Sequence, residues 1–166
     1  MKSVSRNIIL IIASMGIFTE ALDIAIINLA IPQIERDLHL SSHSSYKLQS
    51  IYIIIYGCFL ILGGKLSDFY GRKKIFLWGT AIFMLTSLGA GLSATFYSLI
   101  FFRAVQGLGA ALLMPAAFSI VTYYFTEQQE RSRAIAIFSS FAAIGSGSGL
   151  SIGGIITSYW GWSWVF

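Results

Sequence analysis

The chain has 166 residues, 56% of them hydrophobic, with 11 Lys or Arg, 7 Asp or Glu and a formal net charge of +4. Soluble domains carry about 25% charged residues, against 11% here. The composition therefore excludes a soluble globular domain and leaves the lipid bilayer as the solvent.

A membrane-spanning helix needs roughly 20 mainly apolar residues. The pattern predicts five spans, at about 8–32, 47–65, 75–93, 97–125 and 134–159. The first is interrupted only by Glu20 and Asp23. The second is free of charge between Lys47 and Lys65, whose long side chains snorkel to its ends. The apolar stretch that follows is too long for one span, and the break is placed at Ala94-Thr95-Phe96-Tyr97, leaving Arg103 inside the fourth. After Trp160-Gly161-Trp162-Ser163-Trp164 the chain reads as the lip of a sixth span, with the tryptophans forming an aromatic belt. A cleaved signal peptide beginning at Lys2 and Arg6 is rejected, because the apolar run continues beyond any cleavage site and further spans follow. The lone Cys58 forms no internal disulfide.

The fold class is all-α, a polytopic membrane bundle, because lipid-exposed backbone must satisfy its own hydrogen bonds. The short loops predict consecutive helices that are antiparallel neighbours. The longest loop, about residues 33–47, is polar. Lys2, Arg6, Lys65, Arg72, Lys73, Lys74, Arg131 and Arg133 fall on one side, against Arg36 and Lys47 on the other. The positive-inside rule makes the N-terminus cytoplasmic, and the basic balance reports topology rather than nucleic-acid binding.

Charges at membrane depth cost about 2.5–3.5 kcal/mol on insertion scales and are kept for ion or substrate handling. Glu20 and Asp23 are three residues apart and share one helix face with Ile27 and Ala30. At about 1.5 Å per residue, Arg103 lies about 9 Å below the outer surface and Asp23 about 14 Å. These depths allow a pair of Arg103 with Asp23 or with Glu20. Gln106, Gly107 and Gly109 follow, the glycines allowing a partner backbone or substrate to approach. Gly145, Gly149 and Gly153, with Gly154 beside the last, make a stripe for close helix packing. Asp68 is placed to cap a turn or to pair with Arg72. His39 and His43 lack a third ligand and read as a solvated loop. No phosphate-binding loop or nucleophile–base arrangement occurs, so neither an enzyme nor a cofactor is expected.

Four motifs together resemble the N-terminal part of a major facilitator superfamily transporter. Gly64-x-Leu66-x-Asp68-x-x-Gly71-Arg72-Lys73-Lys74 resembles the signature loop between spans two and three. Arg103-x-x-Gln106-Gly107-x-Gly109-Ala110 resembles the span-four motif tied to proton coupling. Gly145-x-x-x-Gly149-Leu150-x-x-Gly153-Gly154 resembles the span-five antiporter motif, with Leu150 where that motif has Pro. Leu22-Asp23-x-Ala25-x-x-Asn28-x-Ala30-x-Pro32 resembles a span-one motif of 14-span drug:proton antiporters, with Ala25 in place of the usual Thr.

The resemblance implies alternating access between two six-helix bundles, energised by the proton gradient. Asp23 is then the protonation or cation-binding group, with Arg103 as its partner and Glu20, Gln106 and Asn28 beside it. Gly64, Asp68, Gly71, Arg72 and Lys73 form a gating loop. The expected partners are a small-molecule substrate, the proton, the bilayer and a missing C-terminal half, and the expected location is the plasma membrane. The expected activity is efflux of small lipophilic or cationic drugs. Uptake or export of another metabolite is the alternative, followed by a non-transporting scaffold or sensor.

Overall fold

The computed structural model describes residues 6–166; Lys2 of the charge count and the His43 side chain lie outside the described residues. Five helices form in chain order: α1 (Arg6–Asp37), α2 (Ser42–Tyr70), α3 (Arg72–Gly91), α4 (Phe96–Tyr124) and α5 (Gln128–Trp160). All five are long and apolar enough to cross a membrane, and the described residues contain no strand.

The ends of the helices follow local chemistry. Gly71 alone joins α2 to α3, with φ of +96°, a region open to glycine because it lacks a Cβ. Its N–H donates to the Ser67 carbonyl and its carbonyl accepts from Ile75. Asp68 lies in the last turn of α2 and caps neither helix. At the start of α4, the Thr95 and Ser98 side chains each accept from the other's backbone N–H at 3.3 Å, a reciprocal cap that satisfies two otherwise orphaned donors.

The polar stretch at 33–47 is mostly helical. α1 continues through Pro32 to Asp37 and α2 begins at Ser42, so the connection shrinks to residues 38–41. Ile34 is fully buried in the bundle, Arg36 Nε donates to the Pro32 carbonyl at 3.2 Å, and Ser45 Oγ donates to the Glu35 carboxylate. These contacts hold helix beyond the apolar span.

Helix pairing also departs from the expected order. The broadest contacts join α1 to α5, α2 to α4 and α3 to α4, whereas α1 meets α2 only slightly and α4 meets α5 only slightly. Short loops bring helix ends together, but small residues decide which bodies pack, because helices in lipid associate through close van der Waals contact. On α5, a Cβ at Gly145 would stand 2.5 Å from the Phe18 carbonyl oxygen, and one at Gly149 would stand 2.8 Å from Ala25 Cβ. One at Gly153 would stand 2.9 Å from Ile26. The register rises along both chains together, so α1 and α5 run parallel. Gly154 is outside this seam, with Leu29 at 3.9 Å.

Three apolar clusters close the bundle, the smallest built on Tyr52, Phe83 and Ala110. One gathers Leu10, Phe76, Leu113, Val121 and Phe138. Another gathers Ile27, Ile34, Leu48, Leu99 and Trp162. Trp162–Val165 forms a single 3-10 turn. It turns back onto the bundle, with Ser87 Oγ donating to the Phe166 carbonyl at 2.9 Å. Of the three tryptophans in this run, Trp160 and Trp164 are exposed and Trp162 is buried, so only two suit an interfacial belt.

Candidate functional site

The buried polar centre joins α1 to α4. Arg103 is wholly buried, as is Gln106 one turn later, and Asp23 is 7% exposed. Arg103 Nη1 donates to Asp23 Oδ2 at 2.7 Å and to Gln106 Oε1 at 2.8 Å. Gln106 Nε2 donates to Asp23 Oδ1 at 2.9 Å. Each of the three side chains thus bonds to the other two, and both oxygens of Asp23 are engaged. Between the two carboxylates, Arg103 takes Asp23 as its ion-pair partner.

Glu20 is also buried, at 6% exposure, yet it makes no hydrogen bond or ion pair among the described residues. Asp23 acts on it electrostatically. Among the described residues the buried site therefore holds two carboxyl groups and one guanidinium, and the Glu20 carboxyl is left without a cationic partner.

Asn28 is exposed, and its amide nitrogen donates back to the Ile24 carbonyl at 3.0 Å. It does not join the Asp23–Arg103–Gln106 cluster. The side chain bends to its own helix because a carbonyl four residues back is always within reach.

The glycines beside the cluster admit neighbouring backbones. A Cβ at Gly107 would lie 2.7 Å from the Tyr52 carbonyl oxygen of α2, and one at Gly109 would lie 2.8 Å from the Phe83 nitrogen of α3. This close approach brings in Tyr52, a residue that the motifs do not single out. Its ring lies 4.4 Å from the Arg103 guanidinium carbon and stacks on Tyr56 at 6.1 Å and 21°. A desolvated cation–π contact of this kind contributes about 2 kcal/mol. The available signal was a pair of tyrosines four apart inside an apolar span, where each hydroxyl needs a reason to be there.

The gating-loop residues sit at the far end of α2 and the start of α3. Asp68 is exposed and forms no ion pair among the described residues. Arg72 instead lies over the Tyr123 ring of α4, 4.4 Å from its centroid. Helix α3 diverges from the last turn of α2 at Gly71, and the planar guanidinium finds an aromatic face within reach. A groove of about 660 Å³ opens here between apolar residues of α1, α3 and α4, with Asp68, Arg72 and Lys73 at its edge. A Cβ at Gly64 would make only ordinary contact, 3.8 Å from Pro115 Cβ. On the same side as Arg72, Arg6 pairs with Glu130 and ties the start of α1 to the start of α5.

Relatives of known name match this chain along most of its length. It is 35% identical over 161 residues to the cephamycin export protein of Amycolatopsis lactamdurans, covering 97% of this chain and 33% of that one. It is 37% identical over 143 residues to the puromycin resistance protein of Streptomyces alboniger, covering 86% of this chain and 28% of that one. Among solved structures, a bacterial homolog to the human lysosomal transporter Spinster, inward-facing and unoccupied, superposes with a TM-score of 0.80. That match is 25% identical and covers 91% of this chain and 32% of that one. The chain thus spans about a third of the length of the relatives it matches. Residues 13–166 match the family model described as Major Facilitator Superfamily, and the chain belongs to that family.

Proposed function

We propose that this chain is the N-terminal bundle of a secondary active transporter that exports small lipophilic, often cationic compounds in exchange for protons. The observation that carries the reading is the Asp23–Arg103–Gln106 cluster, buried between α1 and α4. A hydrogen-bonded ion pair sealed from water is a two-state element: neutralising Asp23 removes the attraction that holds Arg103, and the two helices gain a reason to shift. The names of the relatives, which include an export protein and a resistance protein, favour outward movement of foreign or toxic compounds.

In this reading Asp23 takes and releases the coupling proton, and Arg103 and Gln106 hold it in place between cycles. Glu20, a buried carboxylate with no counter-charge, biases the cavity toward cationic substrates. Helices α1 and α4 line one side of the pathway, and a second bundle supplies the other. The Gly64–Lys73 loop works as the cytoplasmic gate, with Asp68 exposed to meet the second bundle and Arg72 held against α4. The N-terminus is cytoplasmic and the transporter resides in the plasma membrane. The Gly145–Gly149–Gly153 seam keeps α1 and α5 moving as one body.

The experiment measures uptake of a fluorescent lipophilic cation by inverted membrane vesicles that contain the full-length transporter. Uptake of the dye into inverted vesicles that depends on an imposed proton gradient, and collapses with a protonophore, supports antiport. Accumulation that ignores the gradient, or no movement of dye at all, removes the reading.

A further inference from the structure

We propose that Tyr52 is the positioning residue of the coupling site, its ring holding the Arg103 guanidinium in the orientation that bridges Asp23 and Gln106. The inference rests on the transport reading above and assigns the aromatic face a part in coupling.

Arg103 bonds to Asp23 and Gln106 through Nη1 alone. Its Nε and Nη2 are buried with no hydrogen-bond partner among the described residues. Two bonds through one nitrogen leave the guanidinium plane free to pivot about that atom. The negative face of an aromatic ring attracts the cation and limits that freedom, and the Tyr52 ring centroid lies 4.4 Å from the guanidinium carbon. Phe166 is more distant, at 5.9 Å.

The ring is itself held. Tyr52 is completely buried, and Tyr56 stacks on it one turn later. Its backbone carbonyl meets α4 at Gly107, directly after Gln106. The register between the ring and the Arg103–Gln106 turn is therefore set by backbone contact. The Tyr52 hydroxyl is buried and has no hydrogen-bond partner among the described residues, although the Glu20 and Asp23 carboxyl groups act on it electrostatically. The hydroxyl contributes no bond to the site, so the face of the ring is the working part.

The test replaces Tyr52 in the full-length transporter with Phe, with Leu, and with phenylalanines of increasing ring fluorination. Fluorine withdraws charge from the ring face at nearly constant size, so this series keeps the fold even where Leu does not. Two rates are read with the same cationic dye: gradient-driven efflux, and gradient-independent exchange across the membrane. Phe should retain both. Fluorination should lower gradient-driven efflux step by step, to a roughly tenfold loss at full fluorination or with Leu, while exchange changes by no more than about twofold. A flat series overturns the proposal, as does a Phe variant that loses as much as Leu. So does an equal fall in both rates, which marks generic packing. A wild-type transporter without gradient-driven efflux removes the transport reading and this inference together, whereas a coupled wild type with a flat series removes this inference alone.

Discussion

Asp23 on α1 and Arg103 on α4 are 80 residues apart in the chain and meet at 2.7 Å, the guanidinium wholly out of contact with solvent. Such a pair is weak evidence for net stability, because desolvating two ions offsets most of their attraction. Breaking one half is a different matter, since it strands the other charge. Asp23→Asn keeps the size of the side chain and leaves Arg103 buried without its ion-pair partner. We expect a loss of about 3–5 kcal/mol in bundle stability, seen as a lower melting temperature of the detergent-purified transporter, together with loss of gradient-driven efflux. An unchanged melting temperature would show that the pair is not closed in the resting protein.

Glu20→Gln should behave in the opposite way. Glu20 is buried but holds no partner, so removing its charge strands nothing and relieves a desolvated anion beside Asp23. The transporter should melt at the same temperature or higher. Its efflux of a permanently cationic dye should fall relative to that of a neutral substrate, and competition between the two in one vesicle preparation measures the ratio. Equal transport of both, as in the wild type, would remove Glu20 from substrate selection.

The α1–α5 seam predicts a sharp positional contrast. A side chain at Gly149 collides with Ala25 Cβ at 2.8 Å and with the Leu22 carbonyl oxygen at 3.0 Å, whereas one at Gly147 meets nothing within 4 Å. Gly149→Leu should cost about 1–3 kcal/mol by forcing the helices apart. Gly147→Leu, only two residues away, should be tolerated. Thermal unfolding of both variants in the same detergent decides the point.

Gly71 is the whole connection between α2 and α3, with φ of +96° and ψ of +131°. Gly71→Val places a β-branched residue in a region that is essentially reserved for glycine, at a cost of about 1–3 kcal/mol. The space around it is open, so the penalty arises from backbone strain rather than collision. Gly71→Ala should show most of the same loss. Comparing the two melting temperatures decides between strain and crowding: a large difference between Ala and Val would contradict the strain account.

The five helices and the positions of the charged residues along them were legible from the sequence alone. Hydropathy is a local property that needs only a run of neighbours, and a charge within an apolar run is conspicuous whatever surrounds it. Even the match in depth between Asp23 and Arg103 followed from rise per residue. Lateral placement did not follow, because side-chain spacing along one helix says nothing of which helix lies opposite. Only the tertiary structure chose Asp23 over Glu20 as the partner of Arg103, and only it brought Tyr52 beneath the guanidinium. The same holds for the bundle. The loops implied sequential neighbours, but the small faces of α4 and α5 paired α2 with α4 and α1 with α5, since in lipid the closest backbone approach, rather than connection length, decides which helices stay together.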